Sequence, residues 1–388
     1  MSLGVYIQVP FCQTRCTYCN FHTGVVSSAR FAPYAAAVQT EIRQHQSRLQ
    51  PSGIILADSV THEIVDTVYF GGGTPSLLDP QHLQGMLEAI RETFAHDFRE
   101  VTLEADPETI DSRKAAAWAA VGIDRVSFGV QSFSDAELQA AGRVHRRADI
   151  YRAVPILQGA GICNISFDLI AGLPHQTPES WRNSLDELVQ LAPQHVSIYL
   201  LEVDEGSRLG SELLRGGTKY SASAVPSDDA MAESYDLARA TLSAAGYEHY
   251  EISNFAKPGF ASEHNRKYWR RAPYFGFGAG AHSFSGTQRW ANAHDAAAYV
   301  QSITSGRIPI EQAETISASQ ALEEELFLGL RQLAGIDLDR LQNFYGVSIS
   351  DRFRPLESSG LLERDGAVVR LAAKHLSISN EVFVELMR

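Results

Sequence analysis

Val5-Tyr6-Ile7-Gln8-Val9-Pro10-Phe11-Cys12-Gln13-Thr14-Arg15-Cys16-Thr17-Tyr18-Cys19 is a β-branched run that stops at a proline and leads into three cysteines within eight positions. Its composition predicts a strand at 5–9. Short apolar or β-branched runs recur at 64–70, 100–104, 125–130, 164–169 and 196–201. Between them the apolar residues take a helical period, as in Leu83, Leu87 and Ile90 or Leu185, Leu188 and Val189, with prolines near helix starts at Pro80, Pro107 and Pro178. Strands alternating with helices imply a parallel sheet, so the chain reads as α/β, either an open doubly wound sheet or a partial barrel.

Residues of chemical interest follow each predicted strand: Cys12 with its partners, Gly71-Gly72-Gly73-Thr74-Pro75, Glu104, Gln131, Asp168 and Glu202. Singly, each is an ordinary cap or loop residue. Six at the edge where parallel α/β folds bind ligands favour a barrel-like arrangement with one active-site face.

Four cysteines in 388 residues are too few for a disulfide scaffold, and clustering in a reduced compartment points to metal. Zinc would want a fourth ligand, for which His22 is available, but C-x3-C-x2-C has no second pair downstream. Three thiolates on a four-iron cluster would leave one iron open to a small molecule. Cys163, in the apolar run 162–170, reads as a buried strand residue. The turn at 71–75 lacks the Lys of a phosphate loop and has Ser76 where a dinucleotide motif needs Gly or Ala. Its glycines suit close approach to a small zwitterion such as an amino-acid moiety, or simply a tight turn. Gly276-Phe277-Gly278-Ala279-Gly280-Ala281 matches G-x-G-x-x-A, but no helix pattern follows it, so a dinucleotide site there is not expected.

The composition is that of an ordered chain, 44% hydrophobic and 20% charged. A net charge of −13 argues against a general nucleic-acid role. No window approaches the ~20 apolar residues of a membrane span, and Met1-Ser2-Leu3-Gly4 does not open a charged-then-apolar leader, so a cytoplasmic location is expected.

The cysteine spacing, with Tyr18 in the last gap and Gly71 to Pro75 after it, resembles the radical S-adenosylmethionine (SAM) superfamily. The likeness continues through Leu103-Glu104-Ala105-Asp106-Pro107, Phe128-Gly129-Val130-Gln131-Ser132-Phe133, 167–174, 246–256 and the region 323–331, in the manner of the oxygen-independent coproporphyrinogen III oxidase group. That resemblance implies a partial (β/α)6 radical SAM barrel in which Cys12, Cys16 and Cys19 hold a 4Fe–4S cluster and SAM chelates its fourth iron. It implies that Tyr6 lies beside the adenine, that Gly72, Gly73 and Thr74 contact the methionine part, and that Glu104 accepts from its amino group. Gln131, Arg143 and Asp168 would hold ribose and carboxylate, and Ile170 would supply a backbone contact to adenine.

Two departures put porphyrinogen decarboxylation in doubt. The oxidase pattern has a fourth cysteine two positions after the triplet, here Phe21, and a long segment before the cluster, here eleven residues. His264-Asn265-Arg266-Lys267-Tyr268-Trp269 instead resembles the H-N-x-x-Y-W signature of the family's heme chaperone branch. Imidazole ligates heme iron, aromatic faces suit a porphyrin, and Arg266, Lys267, Arg270 and Arg271 could pair with propionates. The resemblance therefore implies heme held by His264, Tyr268 and Trp269; His249, His282 and His294 are fallback ligands, and the sequence does not choose among them. It also implies acceptor apo-hemoproteins, membrane-bound ones among them, with a place at the inner-membrane periphery and a homodimer left open. Whether the chain is an enzyme stays open too.

Residues 204–227 are rich in Gly, Ser and charge without periodicity and read as a linker or mobile loop. A helix is expected at 228–245. Leu322, Leu326, Leu330 and Leu333 mark another, followed by apolar segments at 338–344 and 356–362 and a hairpin at 366–371. The expected division is a barrel at 1–203, a linker and extension carrying H-N-x-x-Y-W at 204–310, and a small, mainly helical, winged-helix-like domain at 311–388.

Overall fold

The computed structural model describes residues 2–49, 52–56, 60 and 63–386; Met1 lies outside them. Six strands, β1 (Leu3–Val9), β2 (Val65–Gly72), β3 (His96–Ala105), β4 (Arg125–Gln131), β5 (Asn164–Ala171) and β6 (His195–Leu200), pair in parallel in chain order. These are the six predicted ones, most of them longer by one to four residues at an end. Helices between them start on standard caps: Asp79 accepts from the Gln81 N–H ahead of Pro80–Thr93, and Thr177 and Ser180 form a capping box on Pro178–Leu191.

Each of the six strands alternates. Val5, Ile7 and Val9 of β1, Val68 and Phe70 of β2, Val101 and Leu103 of β3, Val126 and Phe128 of β4 and Phe167 and Leu169 of β5 are buried with the helices. The other parity is polar: Tyr6 and Gln8, Thr67 and Tyr69, Glu100, Thr102 and Glu104, Arg125 and Ser127, Ser166 and Asp168, His195 and Ser197. A parallel sheet flanked by helices on both faces reads apolar throughout. Here the second face is the polar wall of a lumen, so the sheet curves as a partial barrel.

The sheet extends at both ends to twelve strands. Beyond β6 lie β7 (Glu248–His249) and β8 (Asn254–Ala256), with β8 antiparallel to β6. On the other side β9 (Tyr274–Phe277) runs parallel to β1, followed by antiparallel β10 (His282–Phe284), β11 (Gln288–Asn292) and β12 (Ile310–Thr315). β9 escaped notice because its residues lie partly inside the glycine stretch at 276–281. No helix follows that stretch, as expected.

Residues 204–227 are not a free linker. Ser207 caps the helix Arg208–Leu214, the Leu209 N–H donates to Thr17 O at 2.7 Å, and Asn20 Nδ2 donates to Asp204 at 3.0 Å. The helix is too short to show a period, and its order comes from contacts with the cysteine loop. Cys163 is likewise corrected: it is exposed in the turn before β5, because the strand begins only at Asn164.

The expected helix at 228–245 runs Asp228–Ala244. The C-terminal part holds helices Ala318–Arg331, Leu338–Tyr345 and Ser350–Ser358 and a small sheet of β13 (Ile336–Asp337), β14 (Leu362–Asp365) and β15 (Val368–Leu371), in the order β13-β15-β14. The segment expected at 356–362 is shifted: its helix ends at Ser358, and Leu362 already opens the hairpin.

Candidate functional site

At the C-terminal edge of the barrel, β1 passes through Pro10 and Phe11 into the loop carrying Cys12, Cys16 and Cys19, all half-buried. The loop is clamped by backbone: the Thr17 N–H donates to Ala141 O at 3.0 Å, and Thr17 O accepts from Leu209. Burial pushes the Cys12 and Cys19 thiols up, with Cys19 acting on Cys12 and Cys16 on Cys19. Arg143 Nη1 stands 3.6 Å from Cys16 Sγ, offering positive charge to a thiolate. Three half-buried thiols on one fixed loop, with a guanidinium beside one of them, fit a cluster held by three protein ligands. His22, weighed as a fourth zinc ligand, is exposed and packs at a tilt against His294, ring centroids 4.4 Å apart.

The glycine turn lies beside this loop. The Gly73 N–H donates to Val9 O and the Thr74 N–H to Phe11 O, at 2.8 and 2.7 Å. A Cβ on Gly73 would stand 2.5 Å from Phe11 O, so only glycine lets the turn seat against the cysteine loop. Gly72 takes a φ of 112°, and its N–H donates to Glu104 Oε2 at 3.0 Å. The Tyr69 hydroxyl donates to Glu104 Oε1 at 2.9 Å. Burial, opposed by Tyr69 and assisted by the charge of Asp168, pushes the Glu104 carboxyl up to about 7.

Of the remaining predicted residues, Tyr6 and Asp168 sit at lumen-facing positions of their strands, and Arg143 stands beside the cysteine loop. The Tyr6 hydroxyl donates to Gln8 Oε1 at 2.8 Å, and its ring stacks on Tyr69 at 6.0 Å. Asp168 accepts from Ser127 Oγ at 3.3 Å, and burial raises its pKa. Arg143 pairs with Asp106 and donates to Gly129 O at 3.0 Å, while Thr74 Oγ1 donates to Asp106 at 3.1 Å. Gln131, at the end of β4, has a φ of 63°. Ile170 is buried in a separate apolar group with Leu173, Leu201 and Met231. Glu202 is exposed. Tyr69 and Asp106 were missed; the signal for Tyr69 was parity, since it shares the lumen face of β2 with Gly71, while Asp106 lies just past the end of β3, two residues after Glu104.

His264, Tyr268 and Trp269 lie together on the helix Glu263–Trp269, at the opposite end of the lumen. The carboxylate of Glu100 on β3 accepts from Ser262 Oγ and from the Glu263 and His264 N–H groups, and Ser262 caps the helix. His264 Nδ1 bonds Thr67 Oγ1, and Nε2 bonds the Tyr268 hydroxyl, both at 2.9 Å. Its ring stacks on Tyr69 at 5.2 Å, and a Cβ on Gly4 would touch it at 3.4 Å. Thr67 and Gly4 mark the starts of β2 and β1, so this helix is the floor of the barrel. Burial holds the His264 imidazole neutral, its pKa lowered to about 3. Both ring nitrogens are engaged, so iron ligation at His264 would first have to break one bond. Trp269 stacks under Arg331, 4.5 Å from the guanidinium to the ring centre.

The chain is 32% identical to the heme chaperone HemW of Bacillus subtilis across 98% of each chain. It is 34% identical to that of Mycobacterium tuberculosis, over 99% of this chain and 94% of that one. The chain belongs to the HemW family. The radical S-adenosyl methionine domain-containing protein 1, mitochondrial, of Bos taurus is 33% identical over 99% and 87%. Residues 6–188 match the radical SAM superfamily and 316–374 the HemN C-terminal domain. Among solved structures, coproporphyrinogen III oxidase (HemN) from Escherichia coli superposes with a TM-score of 0.82 at 20% identity, over 99% of this chain and 90% of that one, which establishes a common fold.

In this HemW-family chain the floor helix is tied down by charge. Lys267 Nζ stands 2.7 Å from Asp66 Oδ1 and donates to Ser2 Oγ at 2.7 Å, with both charged side chains about nine-tenths buried. Lys267→Met leaves Asp66 as a buried unpaired carboxylate, at a cost of roughly 3–5 kcal/mol. Urea denaturation should show a fall of that size in unfolding free energy; a change under about 1 kcal/mol would mean the pair is solvated.

Proposed function

We propose that the chain takes up heme and delivers it to apo-hemoproteins, membrane-bound ones among them, from the cytoplasm. The observation that carries this reading is Phe21. It stands where the oxidase pattern has its fourth cysteine, and it is 67% exposed on the cluster loop, in a chain matched end to end by heme chaperones. A 4Fe–4S cluster on Cys12, Cys16 and Cys19, with SAM on its open iron, supplies one-electron reduction of SAM when bound. The Gly72 and Gly73 turn would give the methionine part close access to backbone, and Glu104 would accept from its ammonium. Asp168 is suited to ribose hydroxyls, and Arg143, held by Asp106, brings positive charge to the site beside Cys16. In this reading cluster and SAM control transfer or assembly. The division proposed is a barrel at 1–203, a segment supplying the floor and the sheet extension, and a C-terminal domain; the second boundary falls after β12, since a cut at 310 would split that strand.

An anaerobic absorption titration of cluster-reconstituted protein with heme, beside an unrelated acidic protein, tests this. Saturation near one heme per chain, absent from the control, is expected. No saturable uptake overturns the reading and leaves a radical SAM enzyme acting on another substrate.

A further inference from the structure

Both nitrogens of His264 are engaged on the floor, whereas the opposite edge of the barrel has three imidazoles with no such bond to break. Because β9 runs parallel to β1, the loops that follow these two strands reach the same rim. The loop after β1 carries the cysteines and His22. The loop after β9 is the glycine stretch that resembled a dinucleotide motif, and it ends at His282.

Those glycines have a local cause. Gly278 has a φ of 102°, and a Cβ there would stand 2.6 Å from Gln8 O, so the loop presses on the end of β1. At Gly280, φ 72°, a Cβ would stand 3.0 Å from Nδ1 of His294. His294 comes just after β11, which returns to the rim antiparallel to β10. Its ring packs tilted against His22, centroids 4.4 Å apart, and His282 lies near both. All three are exposed, and among the described residues none of their ring nitrogens has a hydrogen-bond partner. His145, His195, His249 and His264 are all hydrogen-bonded and largely buried. The same cysteine loop exposes Phe21 and Val25, 67% and 59%, as apolar surface for a macrocycle.

We infer that a heme taken up by this chain binds at the rim, where the group of His282, His294 and His22 would supply an axial imidazole and Phe21 and Val25 of the cluster loop would offer apolar surface to the macrocycle. The inference rests on the heme reading above and locates its site. The cargo then sits next to the cluster, and the H-N-x-x-Y-W helix braces the floor instead of touching iron.

The test titrates heme into cluster-reconstituted parent, the double variant His282→Ala, His294→Ala and the variant His264→Ala, with iron–sulfur content and far-UV circular dichroism followed on each. The double variant should bind at least tenfold more weakly and lose the parent's Soret position, while His264→Ala stays within about threefold. Parent-like affinity and spectrum in the double variant overturn the rim site and leave heme uptake standing. Absence of saturable binding to the parent overturns the heme reading itself, and this site with it. If the double variant fails to keep its cluster, His282→Asn, similar in size and polarity, repeats the comparison with the same criteria.

Discussion

Cys16→Ala should abolish the iron–sulfur chromophore after anaerobic reconstitution and reduce bound iron to background. A cluster held by three thiolates has none to spare, and removing one leaves two ligands on a half-open loop. The fold should survive, because the bonds that clamp the loop, from Thr17 to Ala141 and from Leu209 to Thr17, are made by backbone. Arg143 loses its contact with Cys16 Sγ but keeps Asp106 and Gly129 O. Stability should change by less than about 1 kcal/mol, as for a half-buried side chain whose one hydrogen-bond donor, Arg143, keeps its other partners. Cys163→Ala, at an exposed turn, is the matched control and should keep full iron. Four iron atoms per chain in Cys16→Ala would sink the cluster assignment.

The six barrel strands were legible because β-branched runs bounded by glycine and proline need little tertiary help. The rim was legible too, since a parallel sheet delivers its loops to one edge. The lumen was visible only in part. Polar residues at alternate positions, such as Thr67 and Tyr69 or Ser166 and Asp168, look like dilution of an apolar run until the sheet is known to curve. Glu100 could not be read at all: it sits mid-strand, and its partners, the N–H groups at 263 and 264, are more than 160 residues away.

The H-N-x-x-Y-W motif shows a different limit. Its residue types suit a heme, and they equally suit a plug, since an imidazole with two acceptor or donor neighbours, a buried lysine with its aspartate and a tryptophan under an arginine also close the end of a barrel. Sequence spacing does not distinguish these. What separates them is which end of the strands the helix meets: it meets Gly4 and Thr67, near the starts of β1 and β2, whereas the cysteines follow the end of β1. In barrels of parallel strands, reactive groups gather at strand ends, and residues at the starts serve stability.

Glu104→Gln separates the demands of the fold from those of the site, because its two effects have opposite signs. In the ligand-free fold this carboxyl ionises at about 7 against an ordinary value of 4.5. The folded chain therefore holds a proton that the unfolded chain has lost between those limits, and this group's contribution to stability falls as pH rises from 4.5 to about 7. Glutamine removes that dependence. Its Oε1 can accept from the Gly72 N–H while its Nε2 donates to the Tyr69 oxygen, so both contacts survive in neutral form. Above pH 7 the variant should be more stable than the parent by roughly 2 kcal/mol, with the gap closing toward pH 5, in thermal unfolding followed by circular dichroism. SAM binding should move the other way. The ammonium of its methionine part loses a charged acceptor, a loss of about 1.5–3 kcal/mol, or some 10- to 100-fold in Kd by calorimetry on the cluster-loaded protein. In the parent, SAM affinity should rise with pH through 7 as Glu104 ionises, and in the variant that rise should be absent. A variant that binds SAM as tightly as the parent, with the parent's pH profile, would remove Glu104 from the site.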